Sequence, residues 1–274
     1  MYGVQDVTVR FGETTALRDV TVKVTPGSVV TVVGGDGAGK STLLRTVVRE
    51  VRPSRGLVRA PGKDALGFLP ASAGSWGGLS VTQNLDFAGG VYGLTGQVLA
   101  TRRDALLERA GLADASTRLA SQLSGGMRRK LGVCMAMIGE PELLVLDEPS
   151  TGVDPVSRVD LWRLASEAAA GGAAVLIATT YLDEAERAAH LAVLDAGEVL
   201  TQGPYDAVRA AFTGVVTHAD QPQRPAWSWR RGRDRREYWP DGEAPAHLTQ
   251  VAPDLQDIVI ALTLVRRARA GAAA

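Results

Sequence analysis

Cysteine is almost missing: Cys134 is the only one in 274 residues. An internal disulfide framework is therefore excluded, and a reducing cytoplasm suits the chain. An excess of charge of either sign is missing too, since 30 Lys and Arg face 30 Asp and Glu. That balance argues against a global electrostatic grip on nucleic acid, and no nucleic-acid partner is expected. Lysine is confined to Lys23, Lys40, Lys63 and Lys130, an arginine bias that reads as codon usage. Histidine occurs only as His190, His218 and His247. No apolar run approaches the roughly 18 residues of a membrane span, so at a membrane other chains must supply the spans. The first residues, Met1 to Asp6, carry no basic stretch followed by an apolar run and do not read as a signal peptide. What remains is a chain that is 45% hydrophobic, enough for a sizeable core in one large α/β domain or two small ones.

Alternation marks strands at Val7, Val9 and Phe11 and at Val20, Val22 and Val24. The unbroken run Val29 to Val33 predicts a strand buried on both faces, as do Leu143 to Leu146 and Ala173 to Ala178. A helix is expected from Ser41, ending near Pro53, and residues 72–122 read as helical with breaks at Gly89-Gly90, Gly93 and Gly111. Residues 192–194 and 199–200 form a candidate hairpin across Asp195 to Glu198. Strands alternating with helices predict a mostly parallel sheet covered on both faces. Composition shifts after about Gly214 into a stretch rich in Pro, Trp and Arg.

Gly34-Gly35-Asp36-Gly37-Ala38-Gly39-Lys40-Ser41 fits the pattern G-x-x-x-x-G-K-[ST], with a buried strand before it and a helix after it. Glycines let backbone N–H groups turn inward around phosphates, and the helix N-terminus adds partial positive charge. Lys40 is placed to reach the β- and γ-phosphates and Ser41 to hold Mg²⁺. The apolar run ending in Asp147-Glu148 predicts a metal-binding carboxylate at Asp147 and, at Glu148, a group that polarises the attacking water. Ser124, ahead of Gly125 and Gly126, reads as a helix cap opening an anion site, followed by the core stripe Met127, Leu131, Met135 and Ile138.

Leu123-Ser124-Gly125-Gly126-Met127 resembles the signature of ABC ATPases, and the resemblance covers about residues 3–205. It implies an α/β P-loop (RecA-like) core with an antiparallel β-subdomain and an inserted helical subdomain at about 72–139. The ATPase domain is then 1–213, followed by an appendage at 214–274. ATP contacts are implied at Phe11, Gly34, Gly35, Asp36, Gly37, Ala38, Gly39, Lys40, Ser41 and Thr42. Ser124, Gly125 and Gly126 are implied to grip the ATP of a partner subunit in a head-to-tail dimer. Phe11 falls where the family stacks adenine, with a core phenylalanine as the alternative reading. Ser150 to Asp154 resembles the loop between the two sites, with Asp154 as its acid, and Leu79 to Leu85 resembles the start of the helical subdomain. Leu123 to Arg129, Leu146 to Pro155 and Pro253 to Ile258 are similar to drug- and lipid-exporting ATPases of the daunorubicin-resistance type. This implies separate membrane-embedded permease subunits and a peripheral position on the cytoplasmic face of the membrane.

Two positions depart from the family. Ala71 stands where a glutamine is usual and Thr180 where a histidine is usual. Loss of one positioned donor typically costs on the order of 10²–10³ in rate. The expectation is slow hydrolysis or none at the chain's own site, with a shifted loop and compensation by Ser72 or Thr179 as the alternative. A heteromer with a second ATPase subunit is favoured over a homodimer, because the intact signature can serve a partner's site. Rival readings are a non-catalytic ABC subunit and a soluble ABC ATPase acting on nucleic acid or ribosomes. Trp227 to Tyr238, with Trp239, interleaves aromatics and arginines, as in a patch for nucleic acid or anionic lipid, or as in a surface hairpin turning near Gly232 with its aromatics packed inward. Leu255, Ile258, Val259 and Leu262 predict an amphipathic helix.

Overall fold

In the computed structural model, which describes residues 1–72 and 74–272, the valine-rich start of the chain forms β1 (Tyr2–Phe11) and β2 (Thr14–Val24), paired antiparallel. Then come β3 (Val29–Val33), α1 (Lys40–Val47), β4 (Arg55–Arg59) and β5 (Leu66–Leu69). The helical stretch is α2 (Val81–Val91), α3 (Gly96–Ala110) and α4 (Gly125–Met137). The core resumes with β6 (Leu143–Asp147), α5 (Pro155–Ala170), β7 (Ala174–Thr179), α6 (Leu182–Ala185), β8 (His190–Asp195) and β9 (Glu198–Gly203). Two sheets result, a three-stranded one ordered β2-β1-β4 and a six-stranded one ordered β5-β6-β7-β3-β8-β9. From β5 through β8 the pairs are parallel.

Every residue of β3, β6 and β7 is buried, because both faces of the large sheet are covered. Alternate residues serve opposite cores: Leu144, Leu146, Val175 and Ile177 face the helical stretch, whereas Leu143, Val145, Leu176 and Ala178 join α1, β1 and β2. A fully buried Leu, Ile or Val contributes roughly 1.5–3 kcal/mol, so this ladder anchors whatever its ends carry. Helix α4 is buried well beyond its expected stripe: Gly126 and every residue from Arg129 to Met137 lie inside, two cations among them.

The chain divides into two compact units, 1–199 and 200–274, and the composition shift near Gly214 lies inside the second. That unit contains α7 (Tyr205–Ala210), β10 (Val215–His218), β11 (Ser228–Arg231), β12 (Asp234–Trp239), β13 (Gln250–Val251) and α8 (Leu255–Ala272). Its sheet is ordered β11-β12-β10-β13, and β11 pairs antiparallel with β12 around Gly232, at φ 61°. The aromatics pack inward: Tyr238 and Val216 meet Ala261 of α8, with Phe212, Trp227 and Trp229 against them. Arg224 lies over the rings of Trp227 and Trp239 at 5.4 and 5.3 Å. Those rings are therefore spent on the core, not presented for stacking on bases. The buried line of α8 is Leu255, Ile258 and Ala261, with Val265 against it, so the helix is turned relative to the stripe through Val259 and Leu262.

Candidate nucleotide-binding site

The glycine-rich loop leaves the buried end of β3 and enters α1. A Cβ at Gly34 would lie 2.1 Å from the Leu194 carbonyl oxygen, so only glycine fits there. Gly39, at φ 106°, is the N-terminal flanking residue of α1, and no side chain caps that helix. Its first amides are thereby left for an anion. The loop is held from outside by the Gly197 amide, which donates to the Ala38 carbonyl at 2.9 Å.

Lys40 is 4% exposed, and its Nζ donates to the carbonyls of Gly34 at 2.9 Å and Gly35 at 3.1 Å. It also pairs with Glu148 Oε1 at 3.3 Å. Glu148 sits at φ 50°, a left-handed conformation uncommon outside glycine, with its amide donating to Ala178 at 2.9 Å. That twist directs the side chain off the end of β6 toward Lys40, and Thr151 Oγ1 donates to its other oxygen at 3.1 Å. Asp147, one residue earlier, is 0% exposed, and neither carboxylate oxygen has a hydrogen-bond partner among the described residues. Burial holds its pKa above the ordinary carboxylate value; Ser41 is near enough to oppose that shift, although its hydroxyl makes no hydrogen bond of normal geometry to the carboxylate. Buried oxygens without donors are what a bound cation would satisfy, so Ser41 and Asp147 fit a magnesium ion.

Lys40, Ser41 and Glu148 border a cleft of about 520 Å³ that is also lined by Asp36 to Gly39 and Thr42, together with Thr14, Thr15, Ala16 and Ala196. The last four come from the β1–β2 hairpin and the β8–β9 turn, and nothing in their local sequence marks them. Phe11 is not a core residue: it ends β1 at 54% exposure, and it is absent from the cleft lining although its strand partner Thr14 is part of it.

The signature residues lie apart from this cleft. Ser124 caps α4, accepting the Met127 amide at 3.2 Å. Ser124 and Gly125 are exposed, while a Cβ on buried Gly126 would press on Ser157 Oγ at 2.8 Å. Asp154 caps α5 through the amides of Val156 and Ser157 at 3.1 and 3.0 Å. Its pKa is lowered, first by the Ser157 amide. Ala71 and Thr180 are both exposed. Thr179 is committed elsewhere, donating to Glu184 at 2.7 Å and accepting from the Tyr181 amide at 3.0 Å.

Residues 17–151 match the ABC transporter family model. The daunorubicin resistance ATP-binding protein DrrA3 of Streptomyces coeruleorubidus is 38% identical over 216 residues, which are 75% of this chain and 68% of that protein. The chain belongs to the ATP-binding subunits of ABC transporters. It is an ABC-type ATPase, and the family binds ATP. The probable multidrug ABC transporter ATP-binding protein YbhF of Escherichia coli (strain K12) is also 38% identical, over 69% of this chain but only 34% of its own length. A solved ATP-binding subunit of an ABC transporter superposes with a TM-score of 0.71 at 28% identity, covering 77% of this chain and 92% of that one. The ABC cassette architecture, with its parallel P-loop sheet and antiparallel sheets, is thus the architecture found here. Among the described residues no helix is long and apolar enough to cross a membrane.

Proposed function

We propose that this ABC subunit powers export of a drug- or lipid-like molecule through separate membrane-embedded subunits, from a peripheral position on the cytoplasmic face. The observation that carries the reading is the meeting of Lys40, Glu148 and the unpartnered Asp147 carboxylate at the end of one buried ladder. Relatives supply the direction of transport: one is named for daunorubicin resistance, and another, 35% identical, for Nod factor export. In this reading Lys40 releases the loop carbonyls and binds phosphate oxygens, and the open amides of α1 complete the cradle. Ser41 and Asp147 would hold Mg²⁺, which supplies neutralising charge at the phosphates. Glu148 orients and polarises the attacking water, and Phe11 stacks on adenine from the rim. An exposed aromatic pair, Trp76 and Phe87 at 4.4 Å between ring centres, offers an apolar face for the membrane partner.

The signature residues Ser124, Gly125 and Gly126 serve the ATP of a second subunit, because they do not line the cleft of their own chain. Ala71 offers no polar side chain at the site and Thr180 only a short hydroxyl, and Thr179 is already bonded. That combination favours a heteromer in which this chain's cleft mainly holds ATP while its signature completes a faster site elsewhere; Asp154 sits in the loop between the two sites. The experiment is to co-purify the chain from membranes and compare Glu148→Gln with Ser124→Arg. In the heteromer Glu148→Gln lowers turnover modestly and Ser124→Arg abolishes it. An ordinary transporter rate from copies of this chain alone, eliminated by Glu148→Gln, refutes the heteromer. Absence of any membrane partner refutes the exporter.

A further inference from the structure

Arg129 is 8% exposed in the second turn of α4, and among the described residues no carboxylate lies within ion-pair distance of it. Its guanidinium is spent on three successive carbonyls: Nη1 donates to Pro70 at 3.3 Å and Ser72 at 2.9 Å, and Nη2 donates to Ala71 at 2.6 Å. These carbonyls belong to the segment leaving β5, whose Leu69 pairs in parallel register with Leu146. The segment therefore departs from the sheet edge beside Asp147 and Glu148. Ala71 and Ser72 are exposed and make no other hydrogen bond among the described residues, so Arg129 is what fixes them. The same helix carries Ser124 at its start.

We infer that Arg129 is a positioning residue that fastens segment 70–72 beside the acidic end of β6, so that this segment and α4 move as one body. The inference rests on the ATPase reading above and adds a named link between the acidic end of β6 and the helix that bears the signature. The planar guanidinium spreads its donors over three successive carbonyls; lysine concentrates its charge and three donors at one point, and glutamine keeps two donors without charge. Burial lowers the Arg129 pKa while Asp147 and Glu148 oppose that shift, which agrees with a cation placed near both acids.

The test uses the full chain with Arg129→Lys and Arg129→Gln. Subtilisin cleavage between Leu69 and Trp76, followed by mass spectrometry, should run on the order of tenfold faster in both variants, because cleavage tracks the open population. ATP affinity should stay within about threefold of wild type, while turnover falls on the order of tenfold or more at unchanged KM. Thermal melts identify a variant that fails to fold, and the second variant then decides. Cleavage within twofold of wild type in a folded variant overturns the clamp. Normal turnover with a loosened segment overturns the positioning role. Wild-type turnover no higher than that of Lys40→Ala would instead overturn hydrolysis at this site, with the cleavage rates still deciding the clamp.

Discussion

Replacing Asp147 by Asn should make the metal-free protein more stable and the nucleotide site useless. The carboxylate is fully buried, and neither oxygen has a hydrogen-bond partner among the described residues. An unsatisfied buried polar group costs about 1–3 kcal/mol, and more when charged, whereas the isosteric amide carries no charge to bury. The gain expected for Asp147→Asn near neutral pH, in EDTA, is therefore on the order of 1–2 kcal/mol. Its pH dependence has a definite sign. Burial raises the folded-state pKa, so the aspartate is least unfavourable when protonated. The stability gap between variant and wild type is full above the raised pKa. It shrinks as pH falls through that value and closes below about 3.9, the unfolded carboxylate pKa. Urea denaturation between pH 4 and 8 measures the gap. MgATP should then stabilise wild type more than the variant, since the amide lacks the negative charge and one of the two oxygens that would hold the metal. A variant less stable than wild type at pH 7, or a gap that widens toward low pH, refutes the reasoning.

Lys40→Ala should weaken ATP binding on the order of 100-fold, the consequence of losing about 3 kcal/mol of charge-assisted hydrogen bonding, measured by calorimetry at fixed salt. The loss is held to that size because Lys40 first gives up its bonds to Gly34, Gly35 and Glu148. Cys134 is fully buried with its pKa pushed up to about 12, so iodoacetamide at pH 8 should label the folded chain on the order of 10³-fold more slowly than the urea-unfolded chain. Prompt labelling without denaturant would contradict the packing around α4.

The buried strands were legible because a run such as Val29 to Val33 has one physical explanation, a central parallel strand. The glycine-rich turn between β3 and α1 was legible because several of its glycines have a physical cause, the 2.1 Å approach at Gly34 and the positive φ at Gly37 and Gly39. Other features were hidden for equally physical reasons. Strand β4, Arg-Gly-Leu-Val-Arg, is mostly exposed and has no apolar alternation to betray it. Thr14, Thr15, Ala16 and Ala196 reach the cleft only because a hairpin and a turn fold over it. Helix α4 showed an apolar stripe, but the burial of Arg129 and Lys130 depends on partners distant in sequence, three carbonyls in one case and Asp160 at 3.0 Å in the other. The turn of α8 away from Val259 and Leu262 follows from which face the small Ala261 presents to Tyr238, which hydrophobicity alone does not encode.

The charged groups of the cleft are bonded to one another and to their own loop. Lys40 holds its own loop, Asp147 has no hydrogen-bond partner among the described residues, and Glu148 keeps a left-handed backbone that costs of order 1–3 kcal/mol. Asp147 and Glu148 stand at the end of β6, whose residues are all buried, and Lys40 opens α1 after the loop that leaves buried β3. The ladder β6-β7-β3 is therefore what keeps the three groups from relaxing toward satisfied positions, because moving one would break packing worth more than the local cost. In the proposed reading a triphosphate with its magnesium would supply acceptors for Lys40, a cation for Asp147 and a water for Glu148. On this argument the strain is stored in the cleft, whereas the signature on α4 carries a satisfied cap and no comparable deficit. In the proposed reading each half of the site would be prepared differently, the cleft to capture nucleotide and the signature to close over nucleotide held by a second subunit.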